Sequence, residues 1–191
     1  AYDNWPRMLE EIQPDIVSVC TPNAWHKPFT IDALAAGAHV LCEKPVATSY
    51  VDACAMYDAA EGAERLLLVS QTGRLNGTML AAKAFADAGH LGQVYYAETS
   101  ALRRRGVPTW GRFHMQADSG GGPLYDIGVH ALDALLWIMG NPQVVAASGA
   151  TYTKLANQDE QLVTSLAESG APVGVFDPRP YNAHEFNVED M

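Results

Sequence analysis

Apolar side chains recur in two alternating patterns along roughly the first 90 residues, and the alternation predicts an α/β fold. Trp5, Met8, Leu9 and Ile12 fall at i, i+3, i+4 and i+7, an amphipathic helix over 4–13 that ends near Pro14. The apolar run from Asp15 to Cys20 predicts a short buried strand, stopped by Thr21-Pro22-Asn23. A second helix over 27–36 ends at Gly37, and 38–42 forms the next buried strand, running into Cys42-Glu43-Lys44-Pro45. Strand, helix, strand at this spacing is a right-handed crossover in a parallel sheet, so both proline-bearing turns leave the same sheet edge. Thr48-Ser49 caps a helix over 49–61, Leu66 to Val69 is a further buried strand ending at Ser70-Gln71-Thr72, and a helix over 76–88 closes at Gly89. The pattern then changes. Gln93 to Leu102 and 143–152 read as strands of a separate, mainly antiparallel sheet, and Leu124 to Gly140 as a helix with an apolar face. Residues 155–191 turn polar, with Pro172, Pro178 and Pro180, and predict loop. The chain therefore divides into a parallel, doubly wound part over 1–75 and an α+β part over 76–191.

Composition narrows the function classes. With 48% hydrophobic and 18% charged residues and no apolar run of about 18 or more, the chain reads as globular and without a membrane span, and no charged-then-apolar leader opens it. A formal charge of −10 argues against nucleic acid and anionic membranes, and Arg103-Arg104-Arg105 is too short a cluster to reverse that. Three cysteines without chelating spacing fit a reducing cytoplasm and argue against a metal centre.

Ligands of open α/β sheets bind outside the carboxyl ends of the strands, so a lysine delivered there faces a crevice. Lys44 is such a residue, and Pro45 restricts its backbone toward the extended region. The plain alternative is a solvated strand terminus. His26, just inside the first turn, is open between a ligand contact and a capping or solvated role. Asp126 and His130 stand at i and i+4 after Gly120-Gly121-Gly122, with Asp133 three residues on. A carboxylate and an imidazole on one helical face suit proton transfer, and equally suit a cap and a core histidine.

Taken together, Asp15 to Asn23 with His26, Ala36 to Pro45, and Gly120 to Asp133 resemble the glucose-fructose oxidoreductase/inositol dehydrogenase/rhizopine-catabolism family, in order, from residue 1 to about 152. The resemblance implies a partial Rossmann domain followed by part of an α+β domain whose open sheet mediates homo-oligomers. It implies hydride transfer between NAD or NADP and a sugar, polyol or related alcohol, without a metal. It carries catalytic roles onto Lys44, Asp126 and His130 and cofactor contacts onto Thr21, Pro22, Asn23, His26, Glu43, Lys44, Pro45 and Gln71. Substrate contacts fall on Lys44, Asp126 and His130, with Trp110 and Arg112 placed near sugar-contacting stretches. The family's opening Gly-rich turn and the residue that selects NAD or NADP have no counterpart here, so the chain is expected to be an internal piece of such an enzyme. Two other readings stay open: a non-catalytic sugar or nucleotide sensor on the same fold, and a reductase or dehydrogenase of aromatic substrates.

Overall fold

The computed structural model describes residues 1–102, 111–154 and 185–190. Arg103 to Arg105, Trp110 and most of the polar stretch beyond 154 lie outside the described residues.

The chain separates into two compact units, residues 1–70 with 116–120, and residues 71–115 with 121–191. In the first, α1 (Trp5–Ile12), β1 (Ile16–Val19), α2 (His26–Ala35), β2 (His39–Cys42), α3 (Tyr50–Gly62) and β3 (Leu67–Val69) alternate. The strands form a three-stranded parallel sheet in the order β1-β2-β3, with Val19 opposite Cys42 and Cys42 opposite Val69. Local chemistry explains the boundaries. The Asn4 side chain accepts the Arg7 N–H at 2.9 Å to start α1, and Ser49 accepts the Asp52 N–H at 3.1 Å to start α3. Gly37, at φ +90, supplies the left-handed turn between α2 and β2.

One core cluster holds the unit together: Leu9 of α1, Ala33 and Leu34 of α2, Met56 and Ala60 of α3, and Val17, Val19, Val40 and Cys42 of the sheet. All three helices contribute to this one cluster, which departs from the expectation of strands buried on both faces. Alternate residues point the other way, where Ile16 is 68% and Leu68 66% exposed. A continuous apolar run signals two covered faces, but α1 to α3 cover only one.

In the second unit α4 (Gly77–Asp87) packs on α6 (Val129–Ile138), which is preceded by a π-helical turn over Leu124–Gly128. The short α5 (Gln116–Ser119) belongs to the first unit. The strands expected at 93–102 and 143–152 are not formed: neither stretch enters a ladder among the described residues, and Tyr95 is 89% and Val145 92% exposed. A strand exists only with a hydrogen-bonded partner, which β-forming composition does not supply. The last described stretch, 185–190, lacks regular strand or α-helix as expected, yet it docks. Phe186 and Val188 are buried, the Asn187 N–H donates to the His114 carbonyl at 3.2 Å, and the Asp190 carboxylate accepts the Lys154 N–H at 2.9 and 3.0 Å.

Candidate active site

The carboxyl edge of the parallel sheet collects the first group of candidates. Because β1 and β2 are parallel and in register, Thr21-Pro22-Asn23 and Glu43-Lys44-Pro45 emerge side by side. The Glu43 N–H still donates to the Val19 carbonyl at 3.0 Å, so pairing continues one residue past the strand before Lys44 departs. Glu43 turns its carboxylate back onto the Lys44 N–H at 3.2 Å, fixing the backbone that carries the ammonium. The Lys44-Pro45 peptide is cis.

His26 corrects the expectation of a ligand-facing imidazole. It is fully buried, with Nδ1 2.8 Å from the Pro45 carbonyl oxygen and Nε2 2.9 Å from that of Thr21. Both polar atoms are thereby spent on the backbone of the two turns. The ring braces the backbone of the two turns. Asn23 is likewise engaged: its amide donates to the Ser119 carbonyl at 2.7 Å, tying the first turn to the residue before the glycine run.

Thr21 Oγ1 is different, since it is buried and has no hydrogen-bond partner. An orphaned hydroxyl at the ligand-binding edge of a parallel sheet is what a bound polar group would satisfy. In the second unit Gln71 Oε1 is also buried without a partner, two residues beyond the end of β3. Each atom, within its own unit, is open to a hydrogen bond from a bound polar group. Cys42, directly upstream of Lys44's turn, is no nucleophile: burial pushes its thiol up to about 11, so the thiolate is scarce.

The second group lies in the second unit. Asp126 stands in the π-helical turn and His130 in the first turn of α6. The turn is set by Gly122, whose carbonyl accepts the N–H groups of Tyr125 at 3.0 Å and Asp126 at 3.1 Å. A Cβ on Gly122 would overlap the Glu189 carbonyl, so only glycine lets the 185–190 segment pass here. Single π turns interrupt α-helices at functional positions often enough to note. Asp133 receives a two-pronged contact from Arg74, with Nε to Oδ2 at 2.8 Å and Nη2 to Oδ1 at 2.6 Å. Arg112 is exposed, in the turn before α5, and Trp110 is outside the described residues. Among the described residues no group of His, Cys, Asp and Glu side chains is arranged to hold a metal, and no helix is long and apolar enough to cross a membrane.

A parallel sheet with a lysine and an orphaned hydroxyl at its carboxyl edge defines a nucleotide-binding α/β protein of the Rossmann class. The chain belongs to the GFO/IDH/MocA oxidoreductases: residues 1–71 match the oxidoreductase family with an NAD-binding Rossmann fold, and residues 79–176 match the GFO/IDH/MocA C-terminal domain. It is 36% identical over 184 residues to a D-glucoside 3-dehydrogenase of Escherichia coli, covering 96% of this chain and 50% of that protein. It is similar to the crystal structure of an aldose-aldose oxidoreductase from Caulobacter crescentus complexed with glycerol, at TM-score 0.62 and 33% identity over 73% of this chain and 41% of that one. A levoglucosan dehydrogenase in complex with NADH and levoglucosan matches at TM-score 0.61 and 28% identity, over 73% of this chain and 38% of that one. The chain spans about half the length of the D-glucoside 3-dehydrogenase.

Proposed function

We propose that the protein is an NAD- or NADP-dependent dehydrogenase that oxidises a CH–OH group of a sugar or polyol. The observation that carries this reading is Lys44, delivered at the carboxyl edge of a parallel sheet beside the unpartnered Thr21 hydroxyl and braced there through His26. Relatives named for glucoside and levoglucosan oxidation support the substrate class. On this reading 1–75 is the cofactor side and 76–191 the substrate side.

When bound, the nicotinamide accepts the hydrogen that leaves the carbinol carbon with its electron pair. The chain's own residues handle the other hydrogen and the charge. His130 takes the hydroxyl proton on an imidazole nitrogen, leaving a carbonyl where the C–O single bond stood. Imidazole is the side chain suited to this step, because it can both take up and release a proton near neutral pH. Lys44 donates a hydrogen bond to the same oxygen and stabilises the alkoxide as it forms, worth about 3–4 kcal/mol by the measure of a single oxyanion donor. Asp126 orients the imidazole and holds a neighbouring hydroxyl. The Thr21 hydroxyl and the Gln71 amide oxygen would hydrogen-bond to the dinucleotide. The three cysteines are all free thiols, which suits a reducing cytoplasm.

The test uses the full-length protein with a panel of sugars and polyols and follows the absorbance of reduced nicotinamide. Turnover on at least one of them is expected, and Lys44→Ala and His130→Ala should each lower kcat on the order of 10²-fold or more. Near-parental turnover by His130→Ala across the neutral range would remove it as the proton acceptor.

A further inference from the structure

We propose that Arg74 and Asp133 are positioning residues that lock the helical face carrying His130 to the turn carrying Gln71. The proposal rests on the role given to His130 above.

The link can be followed bond by bond within the second unit. Gln71 opens a 3₁₀ turn over Thr72–Leu75. The turn is closed by the Arg74 N–H donating to the Gln71 carbonyl at 3.0 Å. The guanidinium then grips both carboxylate oxygens of Asp133, at 2.6 and 2.8 Å, across 59 residues of sequence. Asp133 lies three residues beyond His130 in α6, so the two side chains share a helical face. Trp137, one turn further, stacks beneath the fork with the Arg74 guanidinium carbon 5.4 Å from its ring centre, and the Lys83 ammonium of α4 lies 5.9 Å from the same ring. The proposed proton acceptor and the buried, unpartnered Gln71 oxygen are therefore separated by one closed turn, one two-bond fork and one turn of helix.

The form of the contact argues for orientation more than for stability. A partly exposed ion pair adds little to folding, and here the side chains are 39% and 17% exposed. What a fork adds over a single bond is direction: two parallel N–H···O bonds fix the plane of the guanidinium relative to the helix, and lysine cannot reproduce this. The tryptophan floor removes the remaining freedom by holding the cation over its face. Small displacements of a reacting group are costly, on the order of 10²-fold for about 1 Å. A rigid frame through Arg74 and Asp133 guards against them.

The experiment compares Asp133→Asn, Arg74→Lys, the exchanged pair Arg74→Asp with Asp133→Arg, and His130→Ala in the full-length protein, on the best sugar or polyol of the panel. Thermal unfolding establishes that each variant is folded, and NMR of the His130 ring reports its surroundings. Asp133→Asn and Arg74→Lys are expected to lower kcat on the order of 10-fold. Sugar KM and dinucleotide Kd should stay within about two-fold, the pH profile of kcat should be displaced, and the exchanged pair should recover part of the loss. In Asp133→Asn the His130 ring resonance should move. Folded single variants with parental kcat, pH profile and ring resonance, alongside an inactive His130→Ala, overturn the positioning role and leave the catalytic reading standing. An active His130→Ala together with a moved ring resonance in Asp133→Asn supports the frame and overturns the catalytic reading.

Discussion

His26 sets the terms at the scale of single residues, because an imidazole with both nitrogens against main-chain carbonyls is a splint between two turns. A neutral imidazole donates to one of the two carbonyls and packs its other nitrogen against the second, so removing it leaves a part-buried carbonyl unsatisfied, at about 1–3 kcal/mol, and empties the space beneath both turns. His26→Ala is expected to cost roughly 2–4 kcal/mol in urea unfolding. It should also weaken dinucleotide binding by loosening the two turns at the sheet edge. A loss below about 1 kcal/mol would show that the splint is dispensable. Asp52 gives a pH-dependent counterpart. Hydrogen bonds from Lys27, at 2.5 Å, and from Ser49 hold its carboxyl below the ordinary carboxylate value. A folded pKa below the unfolded one means that this contribution is whole above the ordinary value of 3.8 and is lost as pH falls through the lowered one. Asp52→Asn should narrow the gap in stability between neutral and acid pH, measured by denaturant titration at both, and an unchanged gap would count against the pair.

Among the elements, the glycine run shows how one turn governs both the helix after it and the segment that docks on it. Gly122 accepts two N–H groups that start the π-helical turn, and it lies where a methyl group would strike the Glu189 carbonyl. Gly122→Ala must push the 185–190 segment off or distort the turn bearing Asp126, a cost on the order of 1–3 kcal/mol. Gly140→Ala serves as the control: its φ of +85 is strained for alanine, but nothing lies within 4 Å of the added carbon, so it should leave Asp126 in place. Amide exchange across 124–130 separates the two, and equal protection in the Gly122 variant would refute the argument. The parallel sheet is legible in the sequence because each apolar run is followed by a turn rich in proline or polar residues, which fixes the edge where Thr21 and Lys44 emerge. The caps at Asn4 and Ser49 and the stop at Gly37 obey local rules as well. What is not legible depends on partners far along the chain. Asn23 meets Ser119 across 96 residues and Arg74 meets Asp133 across 59, and neither pairing leaves a local trace. The same reason accounts for 93–102 and 143–152, where composition describes a fit to a pleated surface and says nothing about whether a neighbour is there.

On the scale of the whole molecule, the proposed chemistry is divided between two compact units. Thr21 and Lys44 belong to the first, and Gln71, Asp126 and His130 to the second. The division predicts that binding and turnover respond differently to mutation. A chain with formal charge −10 repels an anionic dinucleotide at long range, so a cation at the binding edge matters beyond its single hydrogen bond. Lys44→Ala should therefore weaken NAD or NADP binding as well as turnover. His130→Ala, on the substrate side, should lose turnover while binding the dinucleotide nearly as the parent does. Only an interaction stronger in the transition state than in the ground state lowers kcat without loosening the complex, and a proton acceptor is of that kind. Fluorescence titration of each variant, at low salt and at about 0.5 M where fields beyond roughly 4 Å are screened, separates the long-range part of the Lys44 effect from its contact part. The contact part should persist in high salt and the long-range part should fade. Equal dinucleotide affinities for the two variants would mean that Lys44 acts on substrate alone, and its place at the cofactor edge would have to be given up.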